Sequence, residues 1–180
     1  MKKPLLLLLI VTLCACGSKV KKIEVNHEGL YSLTIPNSLT ESSNLNEDAS
    51  LQYQNVWKEF YLVTIDEPKE ELRIALESNN LAGLYENNID GYSDLIIGNM
   101  NRALNNAEQS DVQDTMINGH RAKLTTISGG IDDLELFYYL GIFEGEENFY
   151  QVITWTLKSK EETHKANMRD IIQSMKILKD

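Results

Sequence analysis

The folded part of the sequence lacks cysteine and contains no long apolar run. Two cysteines occur among 180 residues, and both of them, Cys14 and Cys16, lie near the start of the chain. The domain therefore cannot rely on disulfides for its stability. Two thiols also cannot complete a zinc site of three or four ligands. After residue 13, no segment approaches the roughly 20 apolar residues of a membrane-spanning helix.

An excess of positive charge and the common catalytic signatures are also missing. The formal net charge is −10, whereas a nucleic-acid partner requires a basic face that neutralises phosphates. The same charge disfavours broad adsorption to anionic lipid. The sequence has no G-x-S-x-G, no phosphate-binding glycine loop, no dinucleotide glycine pattern and no H-E-x-x-H. A chain of this length most simply forms one domain, with a core that needs neither disulfide nor metal.

Histidines are few and widely spaced. His27, His120 and His164 fall in the leader, beside a predicted turn and in the last predicted helix. A zinc site normally pairs close histidines or adds thiolates, so this spacing indicates no metal site. His120 precedes Arg121 next to a tight turn and is interpreted as a surface residue. It is the one histidine that merits a functional test.

The first residues are typical of an export signal. Lys2 and Lys3 precede the apolar residues 5–13. That run is too short to cross a hydrocarbon layer of about 30 Å. Its length fits the apolar region of a secretory signal. We therefore expect residues 1–15 to be a cleaved signal peptide.

The residues Leu13-Cys14-Ala15-Cys16 resemble the bacterial lipobox. In a lipobox, a cysteine that follows small residues receives a diacylglyceryl group and becomes the first residue of the mature protein. The resemblance implies that Cys14 leaves with the signal and that Cys16 carries a covalent lipid instead of a free thiol. A cleaved signal without lipid and an uncleaved anchor are the alternatives. Residues 16–28 are then expected to be the lipidated cysteine and a polar tether.

Alternating apolar and polar residues predict strands in two blocks. The first block contains YSLTIP, which ends at Pro36, and then SLQYQNV and KEFYLVTIDEP after a polar loop. The second block is a meander with predicted turns at Asn118-Gly119, at Gly129-Gly130 and in EGEEN. KEFYLVTIDEP and LELFYYLGIF are apolar on both alternating faces, which is typical of strands covered on both sides.

Helical spacing of apolar residues predicts three helices. They cover KEELRIALES, residues 88–107 and the end of the chain, where Ser159 and Glu162 are spaced as a capping box. The stripe that contains Tyr92 and Met100 is interpreted as core packing, not as a ligand groove. The order of elements predicts an α+β fold, in which a mostly antiparallel sheet is covered by helices on both faces. The C-terminal helix is expected to pack on that sheet.

Acidic residues gather in two predicted turns. Asp132, Asp133 and Glu135 precede one strand, and three glutamates occupy the next turn. Grouped carboxylates are suitable ligands for Ca²⁺, which takes six to eight oxygens. Consecutive hairpin turns lie at opposite ends of their shared strand, however, so the two groups are not expected to combine. We interpret them as solvated turn residues.

The layout resembles the PsbP-like group, which includes PsbP, the DcrB lipoproteins and LpqN. The resemblance is carried by YSLTIP, NGHRAKL, NFYQVITWT and IIQSMKIL, and it extends over roughly residues 29–178. It implies a single domain over residues 29–180 with an α/β/α arrangement. It also implies a non-enzymatic extracytoplasmic domain that docks on other proteins or binds a ligand. No functional residue can be transferred from it, because each matching segment is a structural pattern.

These observations lead to one main hypothesis and two alternatives. The main hypothesis is a non-catalytic lipoprotein of the bacterial cell envelope that docks on another envelope protein or serves envelope assembly. It needs no cofactor besides the lipid on Cys16. Gly17 follows Cys16 where an aspartate would signal inner-membrane retention, so the outer membrane is favoured in a cell that has one. The alternatives are a lipoprotein that holds a small apolar ligand or cation in a sheet–helix crevice, and a hydrolase.

Overall fold

Two antiparallel sheets and three α-helices form the domain. The structure is a computed structural model that describes residues 20–179. The strands are β1 (Lys22–His27), β2 (Tyr31–Pro36), β3 (Thr40–Glu41), β4 (Leu51–Asn55), β5 (Phe60–Pro68), β6 (Asn105–Gln109), β7 (Gln113–Ile117), β8 (His120–Ile131), β9 (Leu134–Glu144), β10 (Asn148–Leu157) and β11 (Lys176–Ile177). The helices are α1 (Lys69–Ser78), α2 (Ile89–Ala103) and α3 (Glu161–Gln173).

The larger sheet has the strand order β3-β4-β5-β10-β9-β8-β6, and β7 also pairs with β8. The smaller sheet has the order β1-β2-β11. β6 and β7 pair with different parts of the same edge of β8, so together they form one interrupted edge strand. The interruption spans residues 110–112. Every described pairing is antiparallel, as the alternating sequence pattern predicts.

The larger sheet has a separate apolar core on each face. On one face, α3 and β2 cover it, and this core contains seventeen buried residues, among them Leu62, Phe143 and Met168. On the other face, α1 and α2 cover it, and this core includes Leu72, Ile89 and Phe149. Successive side chains of a strand point to opposite faces, so a strand between two helix layers must be apolar throughout. This arrangement confirms the predicted α+β fold with helices on both faces.

Strand β9 illustrates how the sequence specifies both cores. Its odd-numbered Phe137 and Phe143 belong to the core beneath α3, and its even-numbered Leu140 and Ile142 belong to the core beneath α1 and α2. β10 and β8 flank β9 on its two edges, so all of its backbone groups lie within the sheet.

The first strand is one that the sequence pattern did not reveal. Residues 22–27 were expected to be part of a tether, but they form β1, in which Ile23 pairs with Ile35 and Val25 pairs with Leu33. The pattern is weak because β1 is an edge strand with mostly exposed side chains. The fold therefore includes residues ahead of Gly29.

The Gly129-Gly130 turn was predicted wrongly. Both glycines lie inside β8, and the chain reverses instead at Asp132, which has a left-handed φ of 52°. A Cβ at Gly129 would approach Asn105 O and Leu104 Cβ at 2.9 Å. The glycine is thus required by the close approach of β6 to β8 and not by a turn.

Two helix boundaries also differ from the prediction. The second helix ends at Ala103 because the chain becomes extended at Leu104 and left-handed at Asn106, with a φ of 51°. Ser159 belongs to a short 3-10 turn, and α3 begins at Glu161 without a side-chain cap. The predicted capping box is therefore wrong. The Glu161 carboxylate instead pairs with the ammonium groups of Lys158 and Lys165. Its negative charge at the start of α3 also stabilises the helix electrostatically.

In the part of the chain from residue 20 to residue 179, no helix is both long enough and apolar enough to cross a bilayer.

His164 is a buried histidine that the sequence did not single out. Its Nε2 lies 3.0 Å from Lys58 O, and its ring stacks on Phe60. Burial lowers the pKa of His164 below its usual range. The unfolded chain therefore binds this proton more readily than the folded domain does. The neutral His164 consequently causes no loss of unfolding free energy above a pH of about 6.5, and the unfolding free energy decreases as the pH falls below that value.

His164→Gln is expected to reduce this pH dependence, since glutamine can donate the same hydrogen bond to Lys58 O but does not titrate. Urea unfolding at pH 7.5 and pH 5.5 measures it. The loss of unfolding free energy on acidification should be smaller for His164→Gln than for the wild type. Equal losses in both proteins would contradict the role assigned to His164.

Candidate functional site: an acidic crevice at the end of β5

A crevice of about 560 Å³ opens where β5 leads into α1. Four carboxylates share its lining with apolar and amide groups. The lining residues are Asp48, Ile65, Asp66, Glu67, Pro68, Glu71, Ile96 and Gln151. The crevice therefore concentrates negative charge between the edge of the sheet and the two helices that follow β5.

The crevice exists because β4 is shorter than β5. β4 begins at Leu51, which pairs with Thr64, and Ser50 N donates to Thr64 O. β5 continues to Pro68, so its last four residues have no strand on that side. On its other side β5 stays paired with β10 as far as Asn148. The uncovered end of β5 thus forms one wall of the crevice.

Asp66 contributes a buried acceptor to this wall. Its Oδ1 is inaccessible to solvent and has no hydrogen-bond partner among the described residues. A buried acceptor without a partner costs about 1–3 kcal/mol, and more when it is charged. The Asp66 carboxylate also raises the pKa of Tyr31, in addition to the larger effect of that tyrosine's burial.

Glu67 is held in position by a buried network. The Tyr92 hydroxyl donates to Glu67 Oε2 at 2.8 Å, and Gln151 Nε2 donates to the Tyr92 oxygen at 2.6 Å. The Tyr92 ring stacks on Phe149, with the ring centroids 4.5 Å apart. Burial and the neighbouring Glu67 raise the pKa of Tyr92, so its hydroxyl remains a donor. The network orients the Glu67 carboxylate before any ligand arrives.

The lining supplies carboxylate and amide groups and few other functional groups. The lining contains no histidine, serine or cysteine that could act as a nucleophile or imidazole base. Within residues 20–179, no three histidine, cysteine, aspartate or glutamate side chains are arranged to hold a metal ion. The nearby Lys69 ammonium pairs with Glu144 and does not line the crevice. The arrangement can accept a positively charged group that donates several hydrogen bonds.

A second depression lies on the opposite face, between α3 and β8. It measures about 440 Å³ and has Leu124, Thr126 and Tyr139 among its lining residues. Its charged residues are of both signs, with Lys165 and Arg169 opposed by acidic neighbours. Neither a single sign of charge nor a buried unpaired group marks it, so the acidic crevice is the stronger candidate.

The residues proposed from the sequence do not converge. His120 is half-buried at the start of β8, opposite Ile117, and Asp132 and Asp133 form the exposed turn after the end of the same strand. Glu135 does not belong to that turn, because it lies in β9 opposite Gly130. The predicted separation of the two acidic turns is confirmed, since they lie at opposite ends of β9. Cys16 lies outside the described residues.

The sequence contained only part of the signal for the crevice. The segment IDEPKEE shows three acidic residues close together at the end of a predicted strand. Asp48 and Gln151 join them only through the pairing of β4 and β10 with β5, which a single sequence does not specify. The sequence pattern also did not predict that β4 is short enough to leave the end of β5 open.

Known structures share this arrangement of sheets and helices. The cyanobacterial PsbP of Synechocystis sp. aligns with a TM-score of 0.53 at 9% identity, over 92% of this chain and 98% of that chain. The fold is PsbP-like. LpqN of Mycobacterium tuberculosis, described as involved in cell envelope biogenesis, has the same PsbP-like fold, with a TM-score of 0.56 at 10% identity over 88% of this chain and 91% of that one. No family model and no curated protein matches the sequence.

Likeness at this level of identity concerns the PsbP-like fold alone. The fold hosts proteins of different description, so the activity must be inferred from the site. The acidic crevice and the exposed surfaces of this chain are therefore the basis for the function proposed below.

Proposed function

We propose that this protein is a lipid-anchored component of the bacterial cell envelope that docks, without catalysis, on another envelope protein. In this proposal the acidic crevice receives a lysine- or arginine-bearing segment of the partner. The observation that supports it is a crevice whose lining contains four carboxylates and neither lysine nor arginine. Attachment through Cys16 follows from the lipobox-like residues, and β1 begins only six positions later.

A cationic partner group is favoured by electrostatics. A close pair of opposite charges attracts far more strongly in a partly desolvated crevice than in water. Guanidinium and ammonium groups bring several donors, so one such group can pair with more than one carboxylate oxygen of the lining. The overall charge of −10 would also speed the encounter with a basic partner and disfavours nucleic acid.

The location follows from the anchor. A lipid on Cys16 would place the domain at the surface of a membrane outside the cytoplasm. In a cell with two membranes we propose the outer membrane, since Gly17 follows the modified cysteine. LpqN, which has a PsbP-like fold, is described as involved in cell envelope biogenesis.

Removing two of the four carboxylates of the crevice should weaken docking strongly. In the Asp66→Asn/Glu71→Gln double variant, two charges of the lining are removed with little change in shape. Loss of close charge pairs at an interface commonly costs about 1.5 kcal/mol or more, so capture of the partner should fall at least tenfold. Capture from detergent-solubilised envelopes, followed by quantitative mass spectrometry, measures this change.

The matched control is the Asp94→Asn/Glu77→Gln double variant. It removes the same number of charges from α2 and α1, at exposed positions outside the crevice. The control should capture the same partner as the wild type. A high salt concentration should release that partner from both proteins, because salt screens the charge pairs. Equal capture by both double variants would contradict docking through the crevice.

A small-ligand function would use the same carboxylates. The crevice is charged, so an organic amine fits it better than an apolar ligand does. A melting temperature that rises with spermidine in the wild type but not in Asp66→Asn/Glu71→Gln, together with no captured protein, would favour this second function over docking.

A further inference from the structure

Trp57 is an exposed tryptophan at the tip of a turn. It lies in the short 3-10 turn Val56–Lys58 between β4 and β5, which we call the Trp57 turn. The Trp57 side chain is 95% exposed and the neighbouring Val56 is 60% exposed. A tryptophan buries a large apolar surface when it can. Its exposure here leaves that surface available for contact with a membrane or with another molecule.

The Trp57 turn is held firmly although its side chain projects outward. Asn55 Oδ1 accepts a hydrogen bond from Lys58 N at 3.0 Å, and the chain leaves the turn through Glu59 with a left-handed φ of 53°. Glu59 pairs with Lys160 at 2.6 Å, and Lys58 O contacts His164. These contacts fix the backbone, so the outward position of Trp57 is a feature of the fold.

The chain enters the domain beside this turn. Lys21 O accepts a hydrogen bond from Asn37 N at 2.9 Å, and the next residue, Ser38, accepts one from Asn55 Nδ2 at 2.7 Å. Asn55 therefore links the entry of the chain to the Trp57 turn through opposite atoms of one side chain. The start of the described chain and Trp57 lie at the same end of the molecule.

The tether ahead of this entry is short. Cys16 precedes Lys21 by five residues, and five extended residues reach about 17 Å. A lipid on Cys16 would therefore keep this end of the domain within the headgroup region of the membrane or just above it. Lys21 and Lys58, both exposed, would face lipid phosphates there.

We propose that the Trp57 turn inserts into the headgroup layer of the membrane that holds the anchor and so fixes the orientation of the domain. This inference rests on the proposed lipidation of Cys16. Tryptophan favours the membrane interface, where its ring meets acyl chains and its N–H remains hydrated. The turn adds a rigid second contact to that of the lipid.

Such an orientation has a consequence for the acidic crevice. β5 runs from Phe60, next to the Trp57 turn, to Pro68 at the crevice. Its nine residues span about 26 Å at roughly 3.3 Å per step. With the Trp57 turn in the headgroups, the crevice is held away from the lipid and open to a partner protein.

Quenching by brominated lipid tests the inference on the full lipidated chain. The protein is reconstituted into phosphatidylcholine–phosphatidylglycerol vesicles with and without brominated acyl chains, and tryptophan emission is compared for the wild type and Trp57→Phe. Trp57→Phe retains only Trp155, which is half-buried between Tyr61 and Tyr138. The Trp57 contribution, obtained as the difference, should fall at least twofold on brominated vesicles.

A tryptophan at the opposite end provides the control. Glu147 lies in the exposed turn before β10, and its carbonyl accepts from Lys69 N next to the end of β5. The Glu147→Trp/Trp57→Phe variant should gain emission that brominated lipid does not quench. All of these substitutions are at exposed sites, so loss of folding is not expected to confuse the result.

Each other outcome overturns the inference, and two of them distinguish it from the proposed function. If the acylated protein floats with the vesicles but Trp57 is not quenched, the anchor is present and the insertion is wrong. If the chain carries no acyl group and does not float, the anchoring itself fails. Protection of Trp57 by another envelope protein instead of lipid would assign the Trp57 turn to a protein interface.

Discussion

Cys16→Ala is expected to abolish the incorporation of labelled fatty acid and to release or mislocalise the protein. Cys16 is the only thiol after the signal-like segment, and a lipid can be attached only to a cysteine at this position of a lipobox-like motif. Within residues 20–179, no helix meets the length and apolarity that crossing a bilayer requires. Metabolic labelling with an alkyne fatty acid, followed by cell fractionation, measures both effects.

The size of the effect follows from the number of acyl chains. One chain binds a membrane only marginally, whereas two or three make the attachment stable. Removal of all of them should therefore change the membrane-bound fraction from nearly complete to minor. The insertion of Trp57 adds contact but cannot substitute for the lipid.

Cys14→Ala is the matched control for this prediction. It replaces the neighbouring cysteine with another small residue, which a lipobox accepts, and it should leave labelling and localisation unchanged. Label that persists on Cys16→Ala, or label that disappears from Cys14→Ala, would contradict the assignment of the anchor.

Gly141→Val should be strongly destabilising, because α3 packs directly against this position. Gly141 lies in β9, and a Cβ there would meet Ile172 Cγ2 at 2.4 Å and the Phe143 ring at 2.9 Å. Both neighbours are buried and cannot move without displacing the α3 core. Overpacking of this kind costs about 1–3 kcal/mol and occasionally more, so we expect a loss near the upper end. Urea unfolding at neutral pH measures it.

Gly83→Ala is the control for steric crowding. Nothing lies within 4 Å of a Cβ added at Gly83, and exposed substitutions of this kind usually change stability by less than about 0.5 kcal/mol. A Gly141→Val protein as stable as Gly83→Ala would show that α3 is not seated on β9 as described.

The sequence predicted most of the strands because their side chains alternate. LELFYYLGIF and KEFYLVTIDEP are apolar on both faces, and they became the central strands β9 and β5. Asn118-Gly119 predicted its hairpin correctly, since both residues adopt the left-handed conformations that a two-residue turn requires. These features depend on neighbouring residues alone.

The errors occur where distant parts of the chain decide the structure. Gly129 looked like a turn residue, but it is required by the approach of Leu104 and Asn105. β1 looked like a tether because its pairing with β2 buries little. Local composition carries no information about such contacts.

The candidate site was the least predictable part. Its carboxylates come from the loop before β4, from β5 and from α1, and the opening depends on where β4 begins. The same holds for Trp57, whose exposure contradicts the usual burial of aromatic residues. The two proposed contacts thus lie at opposite ends of β5. The Trp57 turn, which precedes Phe60, is proposed to contact lipid, and the crevice at Pro68 is proposed to contact a partner protein.

Photo-cross-linking in living cells tests the central claim most directly. A photoreactive amino acid in place of Glu71, at the rim of the acidic crevice, should form a covalent adduct with one envelope protein. The same amino acid in place of Glu77, on α1 but outside the crevice, should form none. Asp66→Asn should weaken the adduct at position 71. No adduct at position 71, or equal adducts at both positions, would contradict docking through the crevice.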